Sequence, residues 1–159
     1  MRRTMLWLLP VLAIVGCGSE SPAPVAPLPL LPPVPLAPAA GTRVAQTTAF
    51  EGCPMDGSGW PFGSRIVFEW RPAGEVKDVV GYDVLAQHAE AANPIVRAYT
   101  TDTRYVRSAC GSYVVDPNLA GWTWQVRAVG RSGEVSAWST PTAFGFAPCR
   151  VGGRFCGAP

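Results

Sequence analysis

WTWQVRAV, residues 122–129, sets Trp122, Trp124, Val126 and Ala128 on one side of an extended chain and Thr123, Gln125 and Arg127 on the other. Successive side chains of a strand point to opposite faces, so this period of two marks a half-buried β-strand. Upstream, RIVFEW (65–70) alternates Ile66, Phe68 and Trp70 with Arg65 and Glu69, and VVGYDVLAQ (79–87) alternates Tyr82 with Val84. PIVRAY (94–99) and RYVRS (104–108) read as two further strands. EVSAWSTPTAF (134–144) reads as a last strand, which Pro141, lacking an amide donor, marks as an edge. Arg71-Pro72-Ala73-Gly74 and Arg131-Ser132-Gly133 are the turns between them. Short strands at this spacing, with no helical stretch, point to an all-β sandwich or barrel. Phe68, Trp70, Tyr82, Val84, Trp124 and Val126 are its expected core, bridging two sheets.

Four landmarks in register resemble the fibronectin type III domain. Trp70 followed by Pro72 is similar to that family's second-strand tryptophan and trailing proline. Gly81-Tyr82-Asp83-Val84 is similar to its third-strand Tyr-x-Val. LAGWTWQVRA (119–128) resembles its sixth strand with the preceding leucine, and Gly133 with Ser136-Ala137-Trp138-Ser139 resembles the approach to its last strand. PLAPAAG (35–41) is similar to the first strand of bacterial members. The resemblance covers residues 35–147 and implies an immunoglobulin-like two-sheet sandwich. The chain departs from it in three places. Trp122 stands where the family has a corner tyrosine, so the hydroxyl-to-backbone hydrogen bond is lost or passes to an indole N–H. Residues 46–64 form an insertion, and the cysteines and the tail 148–159 lie outside the family pattern. Recognition is expected on the insertion and the tail, because loops on a rigid scaffold carry it.

The N-terminus reads as a targeting segment. Arg2 and Arg3 precede a short apolar run, Met5 to Val15, broken by Pro10. Eleven helical residues rise only about 16 Å, half a bilayer core, so this is a signal h-region and not a span. Ile14-Val15-Gly16-Cys17 closely resembles the bacterial lipobox, which implies cleavage after residue 16 and diacylglycerol on the Cys17 thiol. Gly18 stands where an aspartate would resemble an inner-membrane retention signal, so the expected site is the cell envelope, at the outer membrane where there is one. Residues 17–34 then read as a Pro-rich tether. Residues 21–40 hold eight prolines and no charge, a composition that samples polyproline II and reaches about 60 Å if extended.

Export changes the remaining arithmetic. Of 13 Lys and Arg, loss of Arg2 and Arg3 leaves 11 against 11 Asp and Glu, with no basic run to attract nucleic acid. Acylation of Cys17 leaves Cys53, Cys110, Cys149 and Cys156, an even set in an exported chain, with three possible connectivities. Cys149-Arg-Val-Gly-Gly-Arg-Phe-Cys156 is symmetric about Gly152-Gly153, which suits a type I′ hairpin with the two cysteines opposed. The expected bridges are therefore Cys149–Cys156 and Cys53–Cys110, the rival being a tail cysteine joined to the body.

No residue pattern announces catalysis, a cofactor or a metal site. His88 is the one histidine and reads as solvated surface near a strand end. Glu69 and Asp83 are carboxylates that a fold could bring together, yet nothing selects them as a pair. Trp60 and Phe62, set among glycines in the insertion, either stack on a sugar or protein partner or seal one end of the core. Sealing is the favoured reading. Trp138 with Arg127 and Gln125 reads as a guanidinium stacked on indole, with a structural role the favoured reading. The function expected from these features is a lipid-anchored, non-catalytic binding or scaffolding module for a protein partner or adhesion. The alternatives are a carbohydrate-binding module for polysaccharide or peptidoglycan and an accessory lipoprotein of an envelope complex.

Overall fold

A computed structural model describes residues 29–47, 63–74, 76–110, 114–115, 117–151 and 154–155. Cys17, Cys53, Trp60, Phe62 and Cys156 lie outside them, as do the signal segment and most of the tether and insertion. Among the described residues every regular element is a strand, and no helix is long and apolar enough to cross a membrane.

The strands are β1 (Val34–Ala37), β2 (Arg43–Val44), β3 (Gln46–Thr47), β4 (Gly63–Arg71), β5 (Val79–His88), β6 (Val96–Thr100), β7 (Arg104–Cys110), β8 (Trp122–Gly130), β9 (Thr142–Phe146), β10 (Arg150–Val151) and β11 (Arg154–Phe155). They make a β-sandwich. In the four-stranded sheet β4 is central, with β7 along one edge and β1 and β3 at either end of the other. The five-stranded sheet runs β2-β9-β8-β5-β6. β10 and β11 form a separate hairpin whose register pairs Arg150 with Phe155 and Val151 with Arg154, the symmetry read about positions 152 and 153.

The alternation in the sequence is realised across this frame. Ile66, Phe68 and Trp70 from one sheet meet Tyr82, Val84, Trp124 and Val126 from the other, all of them buried. Aromatic rings fill the space from end to end. Trp70 meets Tyr82 edge-on at 5.3 Å, Phe68 meets Trp124 at 5.3 Å, and Trp122 meets Phe146 at 5.4 Å. Burial raises the Tyr82 phenol above its ordinary ionisation range. The Trp124 indole donates to the Pro38 carbonyl at 2.9 Å, tying the core to the end of β1. The Trp122 indole donates to the Asn118 carbonyl at 2.7 Å, so an indole N–H bonds the backbone four residues upstream.

The structure corrects the expected boundaries. The tether read over 17–34 gives up its last residues to the sandwich. Leu30 packs against the core, Pro33 is buried, and β1 begins at Val34. The ends of the insertion read over 46–64 are paired strand, Gln46 with Ser64 and Thr47 with Gly63. The last strand starts at Thr142, after Pro141, and is no bare edge, because β2 covers it in parallel. Gly41, at φ 81°, bends the chain from β1 across to β2, and Gly41 and Gly145 complete the backbone bonds along β9.

Segment 135–140, expected to be strand, instead follows β8 through serine side chains. The Ser136 amide donates to the Ala128 carbonyl while its hydroxyl accepts the Ala128 amide at 3.0 Å. Ser139 treats Val126 the same way, its Oγ accepting at 3.1 Å. Two hydroxyls three residues apart replace the carbonyls that a strand offers every second residue.

Gln46 is the polar residue that periodicity does not find. Its buried amide donates to the carbonyls of Val114 and Ala147 at 2.9 and 2.7 Å and accepts the Val114 amide. Gln46→Leu strands those three backbone groups and should cost about 2–3 kcal/mol, read as a lower midpoint in urea unfolding. An unchanged midpoint would show that water reaches them.

Candidate functional site

The outer face of the five-stranded sheet gathers the polar and aromatic side chains that the core rejects. Register sets Tyr99 of β6 opposite Asp83 of β5, and Asp83 opposite Arg127 of β8. The next outward row runs Arg97, Leu85 and Gln125. Side chains of facing residues lie about 4.5–5.5 Å apart at Cβ, so each row is a chain of neighbours.

Arg127 is the centre of the face. Its Nε donates to Asp83 Oδ2 at 2.8 Å, and its guanidinium lies 4.7 Å from the centroid of the Trp138 ring. The sequence placed Trp138 against Arg127, and the structure shows that stack. Gln125 donates to the Ser139 carbonyl at 2.9 Å, so the segment carrying Trp138 is fastened on its outer side as well. With side chains about 30% exposed, 31% for Arg127 and 28% for Asp83, the ion pair contributes no more than about 1 kcal/mol to stability. The stack adds about as much. These contacts fix the orientation of Trp138 more than they hold the fold.

Between β6 and Trp138 lies an open groove of about 360 Å³ lined by Asp83, Leu85, Arg97, Tyr99, Arg127 and Trp138. Tyr99 is half-exposed, yet its hydroxyl donates to the Val80 carbonyl at 3.0 Å. A Cβ on Gly81 would collide with the hydroxyl end of that ring, so Tyr99 lies across the bare backbone of β5. Arg97 is exposed, with no acidic partner among the described residues.

The other candidates fall elsewhere. Glu69 and Asp83 sit on different sheets, and Glu69 pairs with Arg104 at 3.0 Å, so the fold does not bring the two carboxylates together. His88, expected to be solvated surface, is partly buried. Its Nε2 lies 2.8 Å from the Ala120 carbonyl and its ring meets Trp122 edge-on at 5.1 Å, clamping the turn before β8. Among the described residues no three His, Cys, Asp or Glu side chains come together as a metal site. No family model matches the chain, and no curated protein matches it. The groove therefore has to be read from its own chemistry.

Sequence reasoning named Trp138, Arg127 and Gln125 but missed Arg97 and Tyr99. Their signal was present as an arginine and a tyrosine two apart on one face of PIVRAY. Recognising it required the register that lays Tyr99 over Gly81.

Proposed function

We propose that this chain is a lipid-anchored, extracytoplasmic binding and scaffolding module with a fibronectin type III-like domain, and that the outer face around Arg127 is its recognition surface. The Arg127 clamp carries this reading. A cation held between a carboxylate and an indole adds little stability, but it presents a fixed aromatic edge and a groove beside it. Aromatic and arginine side chains dominate the binding energy of interfaces. The strand partition, with β1, β4 and β7 against β6, β5, β8 and β9, supports the domain type. The lipobox ending at Cys17 supports the anchor, and the outer membrane is the proposed destination.

The bridges we propose are Cys53–Cys110 and Cys149–Cys156. The β10–β11 register supports the second, since one step outward from the Arg150–Phe155 pair reaches positions 149 and 156. Non-reducing peptide mapping checks this. A peptide joining residue 53 to either tail cysteine would replace the assignment.

The recognition surface is tested with a photo-crosslinking amino acid placed at Gln125, beside the groove, and at Val67, on the opposite sheet. Adducts should form in intact envelopes from position 125 and not from position 67. Equal labelling from both would move recognition off this face. Carbohydrate, the second reading, gains a specific observation in Tyr99, a half-exposed ring whose hydroxyl end is held over Gly81.

A further inference from the structure

We infer that the groove binds a carboxylate-bearing sugar, its ring stacked on Tyr99 and its carboxylate held by Arg97. This rests on reading the Arg127 face as the recognition surface. Three observations lead to the ligand class.

The first is the platform. An exposed tyrosine ordinarily turns freely and loses that freedom on binding. Tyr99 is already fixed, by its hydrogen bond to the Val80 carbonyl and by the glycine that lets its ring settle on β5. A pre-organised ring that keeps about half its surface open, 53% of the residue, offers a flat apolar face at little entropic cost. The apolar face of a pyranose ring suits it.

The second is charge. Of the three charged groups that line the groove among the described residues, Asp83 and Arg127 neutralise each other. Arg97 remains, so the groove carries one uncompensated positive charge. A planar guanidinium recognises a carboxylate through two parallel hydrogen bonds.

The third is spacing. Arg97 and Tyr99 are two residues apart on β6, so their Cα atoms lie about 6.6–6.8 Å apart along the strand, on the same face. A uronate places its carboxylate on the ring carbon next to the ring oxygen. With that ring over Tyr99, the carboxylate falls within reach of the long Arg97 side chain. At about 360 Å³ the groove lies near the small end of ligand pockets, roughly 300–1,000 Å³, which suits one or two sugar rings. An acidic peptide would use Arg97 but would leave the pinned ring unused unless it also supplied a flat group.

Affinity electrophoresis of the full chain in neutral detergent, through gels holding polygalacturonate or its fully methyl-esterified form, tests the assignment. The esterified polymer keeps the rings and removes the charge. Polygalacturonate should retard the protein and the ester should not. Tyr99→Ala and Arg97→Gln should each weaken the retardation constant by about tenfold or more. Gly81→Ala, which lifts the Tyr99 ring, should weaken it as well. Arg65→Gln, on the outer face of the other sheet, should leave it unchanged. No retardation, equal retardation by the ester, or indifference to the Tyr99 and Arg97 substitutions would overturn the inference. If polygalacturonate fails while the crosslinker at position 125 captures a protease-sensitive adduct, the ligand class falls and the surface stands. If both fail, both readings fall.

Discussion

Trp124→Ala should lower the free energy of unfolding by about 3–5 kcal/mol, the range for emptying a buried aromatic site. A small domain is stable by about 5–15 kcal/mol, so this removes a large share of the total. Trp124 has no exposed surface, packs edge-on against Phe68 from the opposite sheet, and donates its indole N–H to Pro38. Truncation therefore opens a cavity at the middle of the sandwich and strands a carbonyl at the end of β1. Trp124→Phe separates the two effects. It keeps an aromatic ring and loses the hydrogen bond, and should cost about 1–3 kcal/mol. Guanidinium unfolding followed by circular dichroism measures both. A loss below about 1 kcal/mol for the alanine variant would show that the sheets close without this side chain.

The second large effect is positional. Cys17→Ser removes the thiol that carries the diacylglycerol in the proposed anchor, and the protein should leave the membrane fraction or accumulate as the uncleaved precursor. Buried acyl chains contribute about 0.8 kcal/mol per methylene, so two chains together hold a protein on a membrane where a single chain gives only marginal binding. Without them a near-neutral chain has no polybasic run to retain it. Mass spectrometry of the wild-type mature N-terminus decides the matter. An unmodified cysteine there would remove the anchor and, with it, the reading of the Pro-rich residues that follow as a tether.

The parts of the fold written in the sequence are those where one face is wholly apolar. In β4, β5 and β8 a slip of one residue would put Phe68, Tyr82 or Trp124 into water, and that penalty makes their pattern unambiguous. The turns at Gly74 and Gly133 were legible because both take positive φ, which glycine adopts without strain. PLAPAAG marked the first strand, but the path onward from β1 through β2 to β3 was not legible. Those strands are only two to four residues long and change sheets between them, too briefly for any period to register. Ser136 and Ser139 misled for another reason. Their hydroxyls stand in for backbone acceptors, so a segment off the strand lattice looked like part of it. At the site, the Arg127–Trp138 stack followed from neighbouring polar and aromatic positions. The Arg97–Tyr99 pair depended on cross-strand register, which no local pattern encodes. Trp60 and Phe62 lie outside the described residues.

The serine-laced segment along β8 also bears on self-association. A sheet margin with regularly spaced free amides and carbonyls invites another chain to add itself as the next strand. Here the Val126 and Ala128 amides are taken by hydroxyls, Pro141 offers no donor, and β2 occupies the remaining length along β9. The covering segment carries its serines at a three-residue interval, out of step with the two-residue repeat an incoming strand would need. Lateral growth of the sheet is blocked on this side. With the proposed lipid anchor, copies would meet in a plane at high local concentration, where an open margin would invite fibre-like aggregation.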